Sequence, residues 1–430
     1  MKTDPKTEII AGITTFLAAM YIIIVNPSIL SAAGMPFSGV LTATVIVSAL
    51  SSIAMGIYAR NPIVLAPGMG INAFFAYSVV TGMHVAWQTA LGAVFWSGVI
   101  FLVLSIFNVR TLILKAIPYP LRLGTAGGIG LFISFIGLKN AGFIVANQAT
   151  LLSRGALNPI TVTFVVGLTF TSFLIAKRVK GAMIAGIILT TLMAIPIGRL
   201  WGDATAINFG TKTLVTFKGV FAPPDFSVFL KLDLAGSLKL ALWPVIFSFL
   251  FTVMFDGIST FVGVAEAGNL KDASGEPRNI RQSLIVDSSS SILSGIFGTS
   301  SATSYIESAT GIEEGGRGGL TAVTAGLLFL PFMFFSPLLS IVPAIATSPV
   351  LVLVGVFMMK PVMKLQWDNF EDSIPAFIAL ILIPLTFSIT QGIVWGFLSW
   401  TAIKTALGRF SEISPMLLII DALAIVSFFL

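Results

Sequence analysis

Glu307, Asp256 and Asn72 are the residues of this 430-residue chain whose types and surroundings could do chemistry. Glu307 lies in the middle of GTSSATSYIESATGIEEGGRGG, a glycine-bounded, Ser- and Thr-rich stretch over 298–319 with long apolar runs on both sides. Asp256 follows a dozen mainly apolar residues in PVIFSFLFTVMFDGISTFVGVAEAG, residues 244–268. A carboxylate at that depth in a bilayer costs roughly 2.5–3.5 kcal/mol on insertion scales and requires a partner, a proton or a water-filled cavity. Burial disfavours the charged form of a carboxyl, and a second carboxyl in the same cavity disfavours it further. Asp256 and Glu307 are therefore expected to bind a polar substrate and to carry a coupling proton. With one histidine, His84, and no cysteine, an enzyme would be left with carboxylate chemistry alone, so no catalytic residue, cofactor or metal is expected.

Two interrupted segments must position these groups. The 298–311 stretch is too polar for an ordinary span, and non-helical backbone at membrane depth is tolerated only where protein or a water-filled cavity satisfies it. It reads as a few extended residues followed by a short helix. NPIVLAPGMGINAFFAYS at 61–78 has the same character: Pro67, Gly68 and Gly70 favour an extended stretch, and Asn72 then stands near the start of a half-helix. The free N–H groups and positive end of that half-helix would face the site. A third feature is Asn26–Pro27, which interrupts the apolar run FLAAMYIIIVNPSIL at 16–30.

Composition gives the class. The chain is 56% hydrophobic and 10% charged with a mean hydropathy of +1.00, whereas roughly a quarter of a soluble domain's residues are charged. It reads as an all-α polytopic membrane protein. Spans are expected near 10–32, 39–58, 62–80, 86–107, 120–143, 159–177, 181–199, 240–268, 281–298, 299–314, 318–338, 346–359, 373–389 and 391–408, fourteen in all, with the third and tenth broken. The run from Met1 to Glu8 is short and polar, and the first apolar run reads as a span rather than a cleavable signal. With the N-terminus inside, seven of the 24 Lys and Arg fall outside and seventeen inside, as positive-inside sorting requires. Those basic residues are scattered over short loops, so membrane lipid is expected as a partner and nucleic acid is not. The run 415–430 is short and holds Asp421; it either lies along the membrane or caps the bundle. Seven spans precede the long connection 198–240 and seven follow it. An odd number per half makes the repeat inverted, and paired interrupted segments at corresponding positions point to a transport site.

Asn26–Pro27, APGMGINAFFA at 66–76, FDGISTFVGVAEAGNL at 255–270 and GTSSATSYIESATGIEEGGRGGLTA at 298–322 resemble the AzgA-like purine permeases of the nucleobase–cation symporter superfamily. The similarity runs through almost the whole chain, and the last motif is its most specific part. It implies fourteen spans as two intertwined inverted repeats, with a core domain in residues 1–107 and 235–338 and a gate domain in 108–234 and 339–430. It also implies proton-coupled purine uptake by alternating access, a cell-membrane location with the N-terminus cytoplasmic, and a homodimer formed through the gate. Carried over position by position, it puts Gly70, Asn72, Asp256 and Glu307 at the purine. Asn26 joins the substrate-binding set, and Phe74 and Phe75 either stack on the flat base or serve ordinary helix packing. Gly257 departs from the family pattern, which commonly has Thr or Ser after Phe–Asp. Asp287, in IVDSSSSILSG, reads as a helix-packing residue toward the inner half of its span.

The expected function is thus purine nucleobase import by proton symport. The nearest alternatives are a transporter of the same architecture moving pyrimidines or anions, and, from another class, an ion channel. Two acids in the site argue against an anion, and repeated pore-ring motifs of a channel are absent from the sequence.

Overall fold

The computed structural model describes residues 4–107, 118–200, 219–272 and 275–414, with 417, 418, 421, 422 and 425 beyond them. The charges counted at Lys2, Arg110, Lys115, Lys212 and Lys218 lie outside the described residues, as does most of the run 415–430.

The chain is a bundle of fourteen segments in two inverted repeats of seven. The first repeat comprises Pro5–Ala19 with Ile22–Ser31, Phe37–Ala54, a broken third span, Trp87–Ile106, Tyr119–Asn140, Pro159–Ala176 and Ala182–Leu200. The second comprises Trp243–Gly268, Ile280–Phe297, a broken tenth span, Gly319–Phe329, Ala344–Met359, Phe370–Thr386 and Ile389–Ala406. Seven of the described helices are long and apolar enough to cross a membrane unaided. The others complete the bundle as shorter apolar or interrupted elements.

Both broken spans contain a strand followed by a short helix. In the third, β1 (Leu65–Pro67) leads into Met69–Ala73 and a wider π-helical continuation, Phe74–Gly82. A small surface hairpin of β2 (Ile144–Asn147) and β3 (Leu151–Arg154) follows the fifth span. In the tenth, β4 (Ala302–Ser304) leads into Ser308–Glu313. β1 and β4 pair antiparallel, with Leu65 opposite Ser304, Ala66 opposite Thr303 and Pro67 opposite Ala302. Corresponding segments of the two repeats thus cross head to tail.

Buried backbone groups need partners, and serines supply those that the two strands cannot. Ser52 Oγ accepts from Leu65 N at 3.0 Å and donates to its carbonyl at 3.2 Å. Ser308 Oγ accepts from Val64 N, and Ser294 Oγ accepts from Ala302 N, both at 3.0 Å. The serine run of the ninth span is therefore a hydrogen-bonding face as well as a small-residue one. Gly298, at φ 90°, ends that span in the left-handed region and turns the chain back toward β4.

Two expectations change. The first span breaks at Met20–Tyr21, with Pro27 inside its second helix, rather than at Asn26–Pro27. Pro27 cannot donate to the Ile23 carbonyl, and upstream the ladder has already tightened, with Ile23 N and Ile24 N reaching the carbonyls three residues back at 3.1 Å. The stretch PVMKLQWDNFED at 361–372 reads in sequence as an amphipathic inner-surface helix linking gate elements, and the structure has no such helix there. A short 3₁₀ turn, Lys360–Lys364, is followed by extended backbone at Leu365, and the thirteenth span starts at Phe370.

Helices 119–200 and 344–406 pack largely among themselves, the fifth span lying along the twelfth and thirteenth. Gly124, Gly130 and Gly137 of the fifth span face the backbone at Ala376, Gly355 and Ser348, so its glycine repeat serves close packing within this group. The first four and the eighth to eleventh spans form the other group, with the fourth against the ninth and the first against the eleventh.

Candidate functional site

The crossing of β1 and β4 holds the start of each short helix at membrane depth, and the first and eighth spans close around it. Glu307 occupies the residue just before Ser308–Glu313. Its Oε1 accepts from the Tyr21 hydroxyl at 2.7 Å, across 286 residues of sequence. Tyr305, two residues before Glu307, donates to the Pro67 carbonyl at 2.6 Å and so ties β1 to the tenth span.

Asp256 lies at mid-length of the eighth span. Both it and Glu307 are half-buried, each keeping some surface accessible to water. The two carboxylates act on each other electrostatically, and both act on Tyr21 and Tyr305, so the four groups form one cluster. Among the described residues the Asp256 carboxylate has no hydrogen-bond or ion-pair partner.

Asn72 is fully buried. Its Oδ1 accepts from Ser300 Oγ, and its Nδ2 has no partner. Ser300 Oγ also lies 3.3 Å from Asn26 Oδ1, while Asn26 Nδ2 donates to Thr44 Oγ1 at 2.6 Å and to Thr299 Oγ1 at 2.8 Å. Asn26 thus links the first, second and tenth spans, with its polar atoms engaged by protein. Gly70 faces away from that network toward Ile129 and Ile133 of the fifth span and Met358 of the twelfth. Phe74 is buried edge-on against Phe249, with ring centroids 4.8 Å apart, and Phe75 lies 6.4 Å from the same ring.

Asp287 is closer to this cluster than its expected packing role implies. It is fully buried and electrostatically coupled to Asp256; its Oδ1 accepts from Ser304 Oγ at 3.4 Å, and its Oδ2 has no partner. Gly257 makes room for it, because a Cβ there would collide with that Oδ2. The departure at Gly257 therefore has a steric consequence. Tyr21, Tyr305, Ser300 and Thr299 were not singled out from sequence. A tyrosine or a serine in such segments carries no signal until the crossing strands bring distant spans together. No cluster of three or more His, Cys, Asp or Glu suited to a metal is found among the described residues.

Among the described residues, the arrangement offers carboxylate acceptors and an amide donor with no basic side chain paired to them. Such a site suits a compact, polar, N–H-bearing ligand.

Four similarities bear on that reading. Residues 6–395 match the family model described as Permease family. The adenine permease AdeQ of Escherichia coli (strain K12) is 43% identical over 424 residues, covering 98% of this chain and 92% of that protein. The guanine/hypoxanthine permease PbuO of Bacillus subtilis (strain 168) is 39% identical over 435 residues, covering 100% and 98%. Among solved structures, the transmembrane domain of a cyanobacterium bicarbonate transporter, BicA, superposes with a TM-score of 0.68 at 15% identity. That match covers 90% of this chain and 97% of the other and shows the shared fold.

Proposed function

We propose, from the premise that this chain belongs to the Permease family and is a multi-pass membrane transporter rather than an enzyme, that it imports purine nucleobases by proton symport and alternating access. The observation that carries the reading is the Asp256 carboxylate, enclosed at membrane depth without a donor, beside a Glu307 held by Tyr21. A purine presents ring N–H donors for the two carboxylates. Its ring nitrogens or carbonyls accept, and Asn72 Nδ2 is a free donor. Two carboxyls this closely coupled share protons as a pair, so binding a neutral base is linked to one proton on the Asp256–Glu307 pair. Asn26 positions the tenth span, and Phe74 walls the cavity. The helices of 119–200 and 344–406 act as the gate and the remainder as the core. The face carrying the N-terminus is cytoplasmic, in keeping with the positive-inside bias.

The names of the sequence relatives favour purines over the pyrimidine and anion alternatives. The test is uptake of labelled hypoxanthine into proteoliposomes, competed by adenine, guanine, xanthine and uracil, with and without an inward proton gradient. Gradient-driven uptake blocked by purines and not by uracil is expected. Failure of folded protein to take up any base, with Glu307→Gln behaving as the parent, overturns the reading.

A further inference from the structure

Arg122 stands one turn inside the fifth span, on the N-terminal face of the bundle and opposite the eighth. Its guanidinium lies over two aromatic rings, 5.2 Å from the centroid of Tyr119 and 5.4 Å from that of Phe255. Its Nε is buried without a hydrogen-bond partner, and among the described residues no carboxylate pairs with the guanidinium. Other cations drawn into the protein are compensated: Lys404 by Glu371 and Glu412 at 2.9 and 2.8 Å, and Arg278 by the carbonyls of Arg60 and Arg317 at 2.9 and 2.8 Å. Arg122 has ring faces instead, a weaker substitute for an anion.

Phe255 is the residue next to Asp256, about 1.5 Å along the helix axis and 100° around it. The unpaired cation therefore lies over the ring of the residue next to the unpaired carboxylate. Phe255 is itself packed on Phe251 at 4.5 Å, and Phe251 on Phe397 of the fourteenth span at 5.5 Å. The Phe255 ring is thus packed within its own helix and under Arg122 of the other helix group, whose relative motion would shift it.

We infer that Arg122 is the counter-ion of the empty, deprotonated site, pairing with Asp256 once base and proton have left and held off by Phe255 while they are bound. This rests on the transport reading above. A site that has lost its proton holds an uncompensated charge at membrane depth, which opposes the return of the empty carrier. Pairing with Arg122 removes that charge without a proton. Exchange of one base for another never requires the empty carrier to reorient and does not need Arg122; net uptake requires that step on every cycle.

The test measures both modes in proteoliposomes. Arg122→Met should keep hypoxanthine counterflow within about twofold of the parent while proton-driven net uptake falls at least tenfold, and Arg122→Lys should restore part of the net rate. Phe255→Leu gives a separate arm: opening the barrier should weaken hypoxanthine binding several-fold, and adding Arg122→Met in the same chain should restore it. Net uptake unchanged in Arg122→Met, equal loss of both modes in Arg122→Met and Arg122→Lys, or weakened binding in Phe255→Leu that Arg122→Met does not relieve would overturn the inference. A parent protein that neither takes up nor exchanges any base overturns the transport reading and this inference with it. A parent protein that takes up and exchanges bases, together with any of the preceding three results, overturns the inference alone.

Discussion

At the scale of residues, the two carboxylates have different supports. Glu307 is held by a hydroxyl donor, and Asp256 has no hydrogen-bond partner among the described residues. Hydrogen bonds to charged groups contribute about 1.5–3 kcal/mol. Glu307→Gln should therefore weaken hypoxanthine binding by roughly ten- to a hundredfold, read by equilibrium binding to the purified protein. Tyr21→Phe keeps the ring's packing and removes only the hydroxyl, so a loss of a few-fold is expected, with the protein still folded; an unchanged affinity would mean that the Tyr21–Glu307 contact does not orient the acid for binding. Glu307 and Asp256 were legible in the sequence because an acid in an apolar run stands out at once. Tyr21 was not, since a tyrosine in an apolar helix looks like packing, and its partner lies 286 residues away. Asp287 was visible but read as packing, because its nearness to Asp256 depends on Gly257 lacking a side chain.

At the scale of elements, the crossing of β1 and β4 decides where every site residue stands. Ser52 serves both backbone groups of Leu65, one of the paired strand residues. Ser52→Ala leaves them unpaired at membrane depth, at a cost of about 1–3 kcal/mol. The melting temperature in detergent should fall, and Ser52→Thr, which keeps the hydroxyl, should lose less. An alanine variant as stable as the parent would contradict the assigned role. The broken third and tenth spans were legible because glycine, proline and polar residues interrupt otherwise apolar sequence. Their pairing into a two-stranded ladder was not, since three-residue strands have too little periodicity to read. Nor was the break at Met20–Tyr21, where no glycine or proline marks the turn itself and Pro27 acts from a distance along the helix.

At the scale of the whole molecule, polar contacts join the two helix groups at both ends. On the N-terminal face Lys180 pairs with Glu314 at 2.5 Å. At the other end Ser78 Oγ donates to the Phe387 carbonyl at 2.5 Å, and Ser248 and Thr390 lie 2.9 Å apart. The Lys180–Glu314 pair is solvent-exposed, and exposed pairs contribute about 0–1 kcal/mol, weak enough to break in each cycle. The chain has no cysteine, so Lys180→Cys with Glu314→Cys gives a clean pair of thiols. Bridging them with a short thiol-reactive linker should stop uptake while leaving base binding measurable; uptake that continues through the bridge would contradict alternating motion of the two groups. The fourteen spans and the inverted repeat were legible from hydropathy and from the odd number of spans on each side of the long connection. How the groups touch was not, because Lys180, Ser78 and Thr390 are ordinary polar residues until the fold sets each beside its partner.

If one polar site holds base and proton together, binding of the base must carry a proton with it. Purified protein in weakly buffered detergent solution near pH 8 is mixed with hypoxanthine while a pH indicator is followed. The account predicts uptake of about one proton per base bound by a coupled acid pair, abolished in Asp256→Asn. Saturable hypoxanthine binding with no proton taken up from pH 6 to 9 would contradict it.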